Sequence, residues 1–349
     1  MPSLSEFFSS ICSDPLLALT MALVAATIFV NGSTDAANSI ADAVGTRSIS
    51  FYNAVILAVV CNFVGLVAAT LVSTAVADTI SGMVDFGGDN HAALVSLAAA
   101  MVAIVVWAGV AWMFGIPTSE SHALIAGLSG AAIAVSGGPS GINMSEWSKV
   151  LYGLVFSTTL GFALGFVSTK AIREIFAYSN NLKMRHVFGN VQVIGAGFGA
   201  FMHGAQDGQK FMSTATLAVM LATGKDVSDV HSYPMWLMVA CALIMAVGTA
   251  VGGKKIVKTV GTQMVPMEKY QGAAASMSDG FSLLLSTLFG MPVSTTHTKS
   301  SAIMGAGAAK SVRSVNWGIA KDIVLTWVLT FPGCGLLGFA LAWVFLHVF

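Results

Sequence analysis

Charge is what this chain lacks most. Only 9% of its 349 residues are Asp, Glu, Lys or Arg, against about 25% in an ordinary soluble domain. A soluble fold of this length covers its surface with charge, so the shortage argues against a soluble enzyme, a nucleic-acid binder and a disordered chain. Neither sign dominates: 16 Lys and Arg balance 16 Asp and Glu, and net charge points to no polyanionic partner. The four cysteines (Cys12, Cys61, Cys241, Cys334) are scattered. With no CxxC and no Cys/His cluster, a zinc site and a disulfide framework drop out. No basic stretch precedes the first apolar run, so residues 1–20 read as the start of a first span and not as a cleaved signal. No P-loop, dinucleotide fingerprint, GxSxG or HExxH stands in a fitting context, and the chain is expected to be no enzyme and to hold no cofactor.

What is present is apolar and small. Hydrophobic residues make up 56% of the chain and Gly contributes 36 positions, a composition that suits helices packed closely in a bilayer. A spanning helix needs about 20 mainly apolar residues. Residues 54–77, 150–169, 234–253 and 323–349 qualify without charge, and 92–115 qualifies by length. Two further runs, 16–30 and 191–202, are short and lead into polar blocks, Asn31-Gly32-Ser33-Thr34-Asp35-Ala36-Ala37-Asn38 and His203-Gly204-Ala205-Gln206-Asp207-Gly208-Gln209-Lys210. More helix-compatible sequence follows each block, so both read as helices broken near mid-membrane, which is tolerated only where protein or a watery cavity satisfies the backbone.

The chain repeats itself. Asp35 and Asp207 are 172 positions apart. Gly115-Ile116-Pro117-Thr118-Ser119-Glu120-Ser121-His122 returns 175 positions later as Gly290-Met291-Pro292-Val293-Ser294-Thr295-Thr296-His297, and Gly161-Phe162-Ala163-Leu164 returns 177 later at Gly338. Two homologous halves follow, residues 1–178 and 190–349, joined by a polar and basic linker at 179–189. Each Gly-x-Pro-x-Ser block reads as the tip of a re-entrant helical hairpin, giving three crossings and one hairpin per half. Three is odd, so the second half is inverted. The predicted fold is thus an all-α polytopic membrane protein of two inverted-topology repeats, each with a broken helix and a re-entrant hairpin. Counting sides under this topology, 12 basic residues fall on one face, 2 on the other and 2 inside, out of 16. The positive-inside rule makes the first face cytoplasmic and places both termini outside, in the cell's plasma (inner) membrane.

The candidate chemistry lies in the repeated blocks. An acid at membrane depth is expensive unless paired or hydrated, and is a functional candidate. Asp35 and Asp207 both qualify, with Thr34, Asn38, Gln206 and Gln209 as neutral oxygens nearby; small hard cations suit such all-oxygen surroundings. The bland alternative is that each Asp only caps a half-helix. At the tips, Pro, Ser and Thr suit helix starts, and a helix N-terminus offers N–H groups and partial positive charge to an anion. Two inverted tips meet near the midplane, where transporters hold substrate; one such block alone would be a plain turn. Thr118, Ser119, Ser121, Ser294, Thr295 and Thr296 are the anion candidates. His122 and His297 follow each tip as proton relays or structural groups. Lys210 and Lys299 are intramembrane cations that neutralise Asp207 or substrate, or snorkel. Glu120 has no acidic counterpart at position 295. Asn62, alone in its apolar run, is expected to face inward, and Asn31 and Gly204 complete the supporting set. Asp42, Asp78 and Asp279 read as interfacial or capping.

At these residues the chain resembles the inorganic phosphate transporter family of secondary carriers. The likeness rests on the two Asp blocks, on both Gly-x-Pro-x-Ser-x-x-His tips and on Lys258-Thr259-Val260-Gly261, landmarks that run from residue 31 past 310. The resemblance implies phosphate uptake coupled to cations, with Asp35, Asn38 and Asp207 matching ion positions and Ser119, Ser121, Ser294, Thr295 and Thr296 matching the anion positions. Many members carry Asn before each Asp, where Thr34 and Gln206 stand here, and Ser or Thr at the position of Glu120. These departures bear on the coupling ion. Na⁺ at Asp35 and Asp207 fits the surrounding hydroxyl, amide and carbonyl oxygens, and H⁺ stays open because a carboxylate can carry it. Sulfate or another oxyanion, or a passive anion channel, are the alternatives to phosphate symport. Homodimers suit such carriers, but the sequence marks no interface.

Overall fold

The computed structural model describes residues 2–114, 118–225 and 233–349. A short helix, α1 (Leu4–Ser13), precedes α2 (Pro15–Gly45). Pro15 opens α2 at its first turn, where a missing N–H costs nothing, and the Asp14 carboxylate accepts from the N–H groups of Leu16 and Leu17. The first half continues through α3 (Phe51–Val72), the short α4 (Ala75–Ser81), α5 (Asn90–Phe114), α6 (Glu120–Ser136) and α7 (Met144–Ile175). The second runs through α8 (Asn181–His203), α9 (Gln209–Thr223), α10 (Met235–Gly252), the short α11 (Lys254–Lys258), α12 (Lys269–Leu288), α13 (Thr295–Lys310) and α14 (Trp317–Val348). Among the described residues there is no strand, only an isolated bridge between Val84 and Ile142. By length and composition α2, α3, α5, α7 and α14 can each cross a bilayer, and α10 joined to the bent segment after it makes a sixth candidate. Their outward faces are apolar: Ile56, Val60 and Val64 on α3, Leu151 and Val155 on α7, Leu243 and Val247 on α10, Val324 and Val328 on α14 are all exposed. In water such a surface would aggregate; against acyl chains it is the expected solvent face.

Helices from the N-terminal part of the chain pack on helices from the C-terminal part. α3 lies on α8, and α10 lies on α2. α7 lies on α13 and α14 on α6. Glycines allow this closeness at matched positions. A Cβ added at Gly32 of α2 would come within 2.1 Å of the Met245 carbonyl oxygen on α10, and one at Gly204 within 2.1 Å of the Asn62 carbonyl oxygen on α3. Gly130 of α6 and Gly305 of α13 meet the backbone of α14 and α7 in the same way, at 2.0 and 2.1 Å. Side chains larger than hydrogen would drive these helices apart.

Two features depart from the sequence reading. The polar block at 31–38 does not break its helix: α2 runs unbroken for 31 residues, about 46 Å at the α-helical rise. The second block is distorted and still helical, with a π-helical turn over Gly204–Gly208 joining α8 to α9. The reason is that the polar side chains find partners inside the bundle. The Ser33 and Thr34 hydroxyls reach the carbonyls of Phe29 and Val30, each at 3.0 Å, and the carboxylates are served by neighbouring helices. Nothing then forces the backbone open to satisfy them. A single π turn inside an α-helix is a frequent mark of a functional site.

α5 with α6, and α12 with α13, pack together as helical hairpins. The tip of the second holds Gly290 in the left-handed region, φ 63°. Of the first tip, Gly115, Ile116 and Pro117 lie outside the described residues; Thr118 and Ser119 lead into α6.

Candidate functional site

The two tips and the two Asp blocks converge. Ser119 and Ser294 each cap their helix, accepting from the N–H of His122 and His297 at 3.2 Å in both cases. This fixes the first turns of α6 and α13 in matched poses, and the His122 and His297 rings touch edge to face, centroids 4.4 Å apart. From these turns Glu120, Ser121, Thr295 and Thr296 point at the carboxylates carried by α2 and the π turn. All four, with Asp35 and Asp207, are buried.

Asp35 is lightly served. Its Oδ1 accepts from the Thr296 hydroxyl at 2.7 Å and its Oδ2 from the Glu120 N–H at 3.3 Å. Thr296 accepts in turn from the Asn38 amide at 2.9 Å. The Glu120 carboxyl hydrogen-bonds to the Thr34 hydroxyl. Among the described residues two buried oxygens beside Asp35 have no partner, Asn38 Oδ1 and Glu120 Oε2, nor has Asn31 Oδ1, whose amide nitrogen bonds to Asp207. No Lys or Arg within salt-bridge distance faces Asp35 or Glu120 among the described residues.

Asp207 is heavily served. Oδ1 accepts from Lys210 Nζ at 2.7 Å and from the Ser121 hydroxyl at 3.2 Å. Oδ2 accepts from the Asn31 amide at 3.0 Å and the Thr295 hydroxyl at 3.3 Å. His203 Nε2 stands 3.2 Å from the same Oδ2. Its Nδ1 lies 2.7 Å from Asn62 Oδ1, whose amide nitrogen is spent on the Ala58 carbonyl. An amide oxygen can only accept, so Nδ1 carries the proton. Asn62 therefore faces inward and orients the imidazole, while Gly204 lets its helix lie against the backbone of Asn62.

Several predicted residues lie beside the cluster and not in it. Thr118 bonds to Thr330 at 3.1 Å, with the Trp107 indole at 3.4 Å, behind the first tip. Gln206 points at the second tip, donating to the Thr287 hydroxyl and the Met291 carbonyl and accepting from the Val293 N–H. Gln209 donates to the Ser73 carbonyl at 2.8 Å. Among the described residues neither ring nitrogen of His122 or His297 has a hydrogen-bond partner; the rings instead pack on Phe331 and Trp327.

Sequence reasoning misplaced Asp42 and Asp279. Neither is interfacial. Both are buried and share Lys299, whose Nζ stands 2.9 Å from Asp42 Oδ1 and 3.9 Å from Asp279 Oδ2. The Ser276 hydroxyl donates to Asp42 Oδ2 at 2.6 Å. The signal was available: Lys299 is an intramembrane cation and needed an acid at its own depth. Asp78, by contrast, is exposed at α4 and bonds to the Thr74 hydroxyl at 3.0 Å.

Lipid-facing helices enclosing matched carboxylates and hydroxyl-rich helix starts define a membrane transport protein. Comparison with known proteins gives the family. The model of the phosphate transporter family matches residues 31–338, and the chain belongs to that family, whose members are transporters and not enzymes. It is 38% identical over 339 residues to the "Probable low-affinity inorganic phosphate transporter" of Bacillus subtilis (strain 168), covering 96% of this chain and 99% of the relative. A namesake from Rhizobium meliloti (strain 1021) is 35% identical over 93% of this chain and 94% of its own length. A solved structure, "The sodium-dependent phosphate transporter", shares the fold with a TM-score of 0.85 at 21% identity, over 96% of this chain and 100% of that one.

Proposed function

We propose that the protein is a secondary active carrier that takes up inorganic phosphate in symport with a cation, Na⁺ in preference to H⁺, across the plasma membrane. The observation that carries this reading is Asp35: a buried carboxylate with no cationic partner among the described residues, bonded to the Glu120 N–H and, through Thr296, linked to Asn38, two residues that each carry an unpartnered buried oxygen. A site of carboxylate, amide and hydroxyl oxygens suits a hard monovalent cation, and an unpaired buried charge is costly until one arrives.

Coupling follows from shared hydroxyls. Thr296 donates to Asp35, and Ser121 and Thr295 donate to Asp207. A hydroxyl has one proton to give. A cation on Asp35 replaces the hydroxyl as its partner, and the Thr296 proton becomes free to turn toward phosphate beside the first turns of α6 and α13. Phosphate bound there is further held by the partial positive charge of the two helix starts. Loading the cation thus prepares the anion site.

The halves, read as inverted repeats with residues 179–189 between them and both termini outside, supply alternating access by rocking against each other. The exchange of helix partners between halves supports that reading. The closed site favours a carrier over a passive channel: Asp35 is 1% exposed and Thr296 0%, whereas a conducting pore needs a continuous wet path. The name of the similar solved structure says that protein is sodium-dependent, which favours Na⁺ here.

Radiolabelled phosphate uptake into proteoliposomes with imposed Na⁺ or pH gradients tests the proposal. A Na⁺ gradient is expected to drive uptake, and excess sulfate to leave it unchanged. Uptake indifferent to both gradients overturns symport, and strong competition by sulfate overturns the assignment of the anion.

A further inference from the structure

The two Asp blocks are related by 172 positions, and that register places Lys210 where the first half has Asn38. The consequence is visible in the contacts. Lys210 is fully buried, and its ammonium sits on one carboxylate oxygen, one hydroxyl and one backbone carbonyl: Asp207 Oδ1 at 2.7 Å, Ser121 Oγ at 2.7 Å and Val293 O at 2.6 Å. Three protons meet three oxygens, so the group is satisfied. Those oxygens are of the kinds that would hold a small cation. Four hydrogen-bond donors already occupy Asp207, whereas Asp35 has two, and its neighbours Asn38 and Glu120 each carry a buried oxygen without a partner among the described residues.

We propose that the Lys210 ammonium is a tethered counter-ion standing in the cation site of the second half, so that Asp207 binds no exchangeable cation and all coupling passes through the Asp35 site. The symmetric expectation of Na⁺ on both carboxylates is thereby replaced by one mobile and one fixed positive charge. The fixed charge is never released, so each phosphate crosses with one cation fewer than a carrier with two open sites would move. The tether also spans elements: Lys210 of α9 holds Ser121 of the first tip and the Val293 carbonyl of the second, so this charge fastens both tips to the π turn whether or not the mobile cation is bound.

The inference rests on the coupling role given to Asp35, and the test separates the two. Radioactive sodium binding is counted per purified full-length chain in detergent with saturating inorganic phosphate. Wild type is expected to bind one sodium ion, Asp35→Asn none, and Lys210→Asn, which restores the residue of the first half, two. Lys210→Arg keeps a tethered cation and is expected to bind one. Two ions on wild type, or one ion on a folded Lys210→Asn chain that still binds phosphate, overturn the tethered counter-ion. If Lys210→Asn does not fold, the counts for wild type and Asp35→Asn decide, and a sodium ion retained by Asp35→Asn overturns the assignment. If no chain binds sodium and a pH gradient alone drives uptake, the choice of Na⁺ fails while the inference stands to be read another way. Charge moved per phosphate is then expected to rise by one elementary charge in Lys210→Asn, and an unchanged value overturns it.

Discussion

Lys299→Met isolates the second buried charge cluster, formed by Lys299, Asp42 and Asp279. The substitution keeps most of the side-chain volume and removes the ammonium that Asp42 and Asp279 share. At an effective dielectric of about 20, the separations of 2.9 and 3.9 Å correspond to attractions of about 6 and about 4 kcal/mol. Desolvation of the three ions offsets most of this in the intact cluster. In the variant that compensation vanishes: two carboxylates remain buried with no cation, and the expected loss is about 3–5 kcal/mol. Asp42→Asn should cost less, because Lys299 keeps Asp279 and the Ser276 hydroxyl, and Asp42→Asn combined with Lys299→Met should recover part of the loss. The assay is unfolding of the detergent-purified chain followed by tryptophan fluorescence, with the three variants side by side. Because α2 carries Asp42 and α12 and α13 carry its partners, unfolding should be cooperative and not local. A Lys299→Met chain as stable as wild type, or a double variant less stable than the single one, would refute the reasoning that this cluster is a compensated buried ion group.

Asp35→Asn should abolish gradient-driven phosphate accumulation with little change in melting temperature, since the carboxylate gives up no ion pair; accumulation at wild-type levels in proteoliposomes removes its ion role. Thr296→Val keeps the shape but deletes the donor to Asp35 and the acceptor for Asn38, and should weaken phosphate uptake by about tenfold to a hundredfold, the scale of about 1–3 kcal/mol for unsatisfied buried partners; its half-saturating phosphate concentration is the readout. His297→Phe should leave uptake and its pH profile within about twofold, because the ring contributes packing on Trp327 and no hydrogen bond; a shifted pH profile would mark it as a proton relay. Gly305→Leu should lower stability by about 1–3 kcal/mol through overpacking against the α7 backbone, measured as a shift in thermal unfolding.

The sequence made some of this legible for a clear reason. Long uncharged runs have one cheap environment, so α3, α7, α10 and α14 fall where the apolar stretches lie. Asp35 with Asp207, and Ser121 with Thr296, stood out because each pair recurs at the repeat spacing, and recurrence separates a candidate site from a turn; Thr295 stands opposite Glu120 and came only with its tip. The sequence could not show which polar neighbours point the same way. On a helix successive residues turn by about 100°, so Gln206 and Gln209, although within two positions of Asp207, brace the second tip and the end of α3 instead. The continuity of α2 was illegible because it depends on partners: whether an Asp breaks a helix is decided by what the facing helices offer. Asp42 and Lys299 meet across 257 positions, a pairing that no local pattern encodes.

The interior charges bear on the proposed coupling. Among the described residues the bundle buries five acids, Asp35, Asp42, Glu120, Asp207 and Asp279, against two lysines, Lys210 and Lys299. Each lysine serves its own cluster, so the deficit cannot be shared evenly: Lys299 lies with Asp42 and Asp279, Lys210 is bound to Asp207, and Asp35 with Glu120 is left without a cation. Phosphate brings further negative charge to the same place. Under the proposed symport, a low-dielectric bundle does not carry that excess across a bilayer uncompensated, and a cation at Asp35 would supply the compensation where the protein places none. On that proposal the asymmetry between the two blocks, an amide at position 38 and an ammonium at 210, assigns the mobile cation to the Asp35 block.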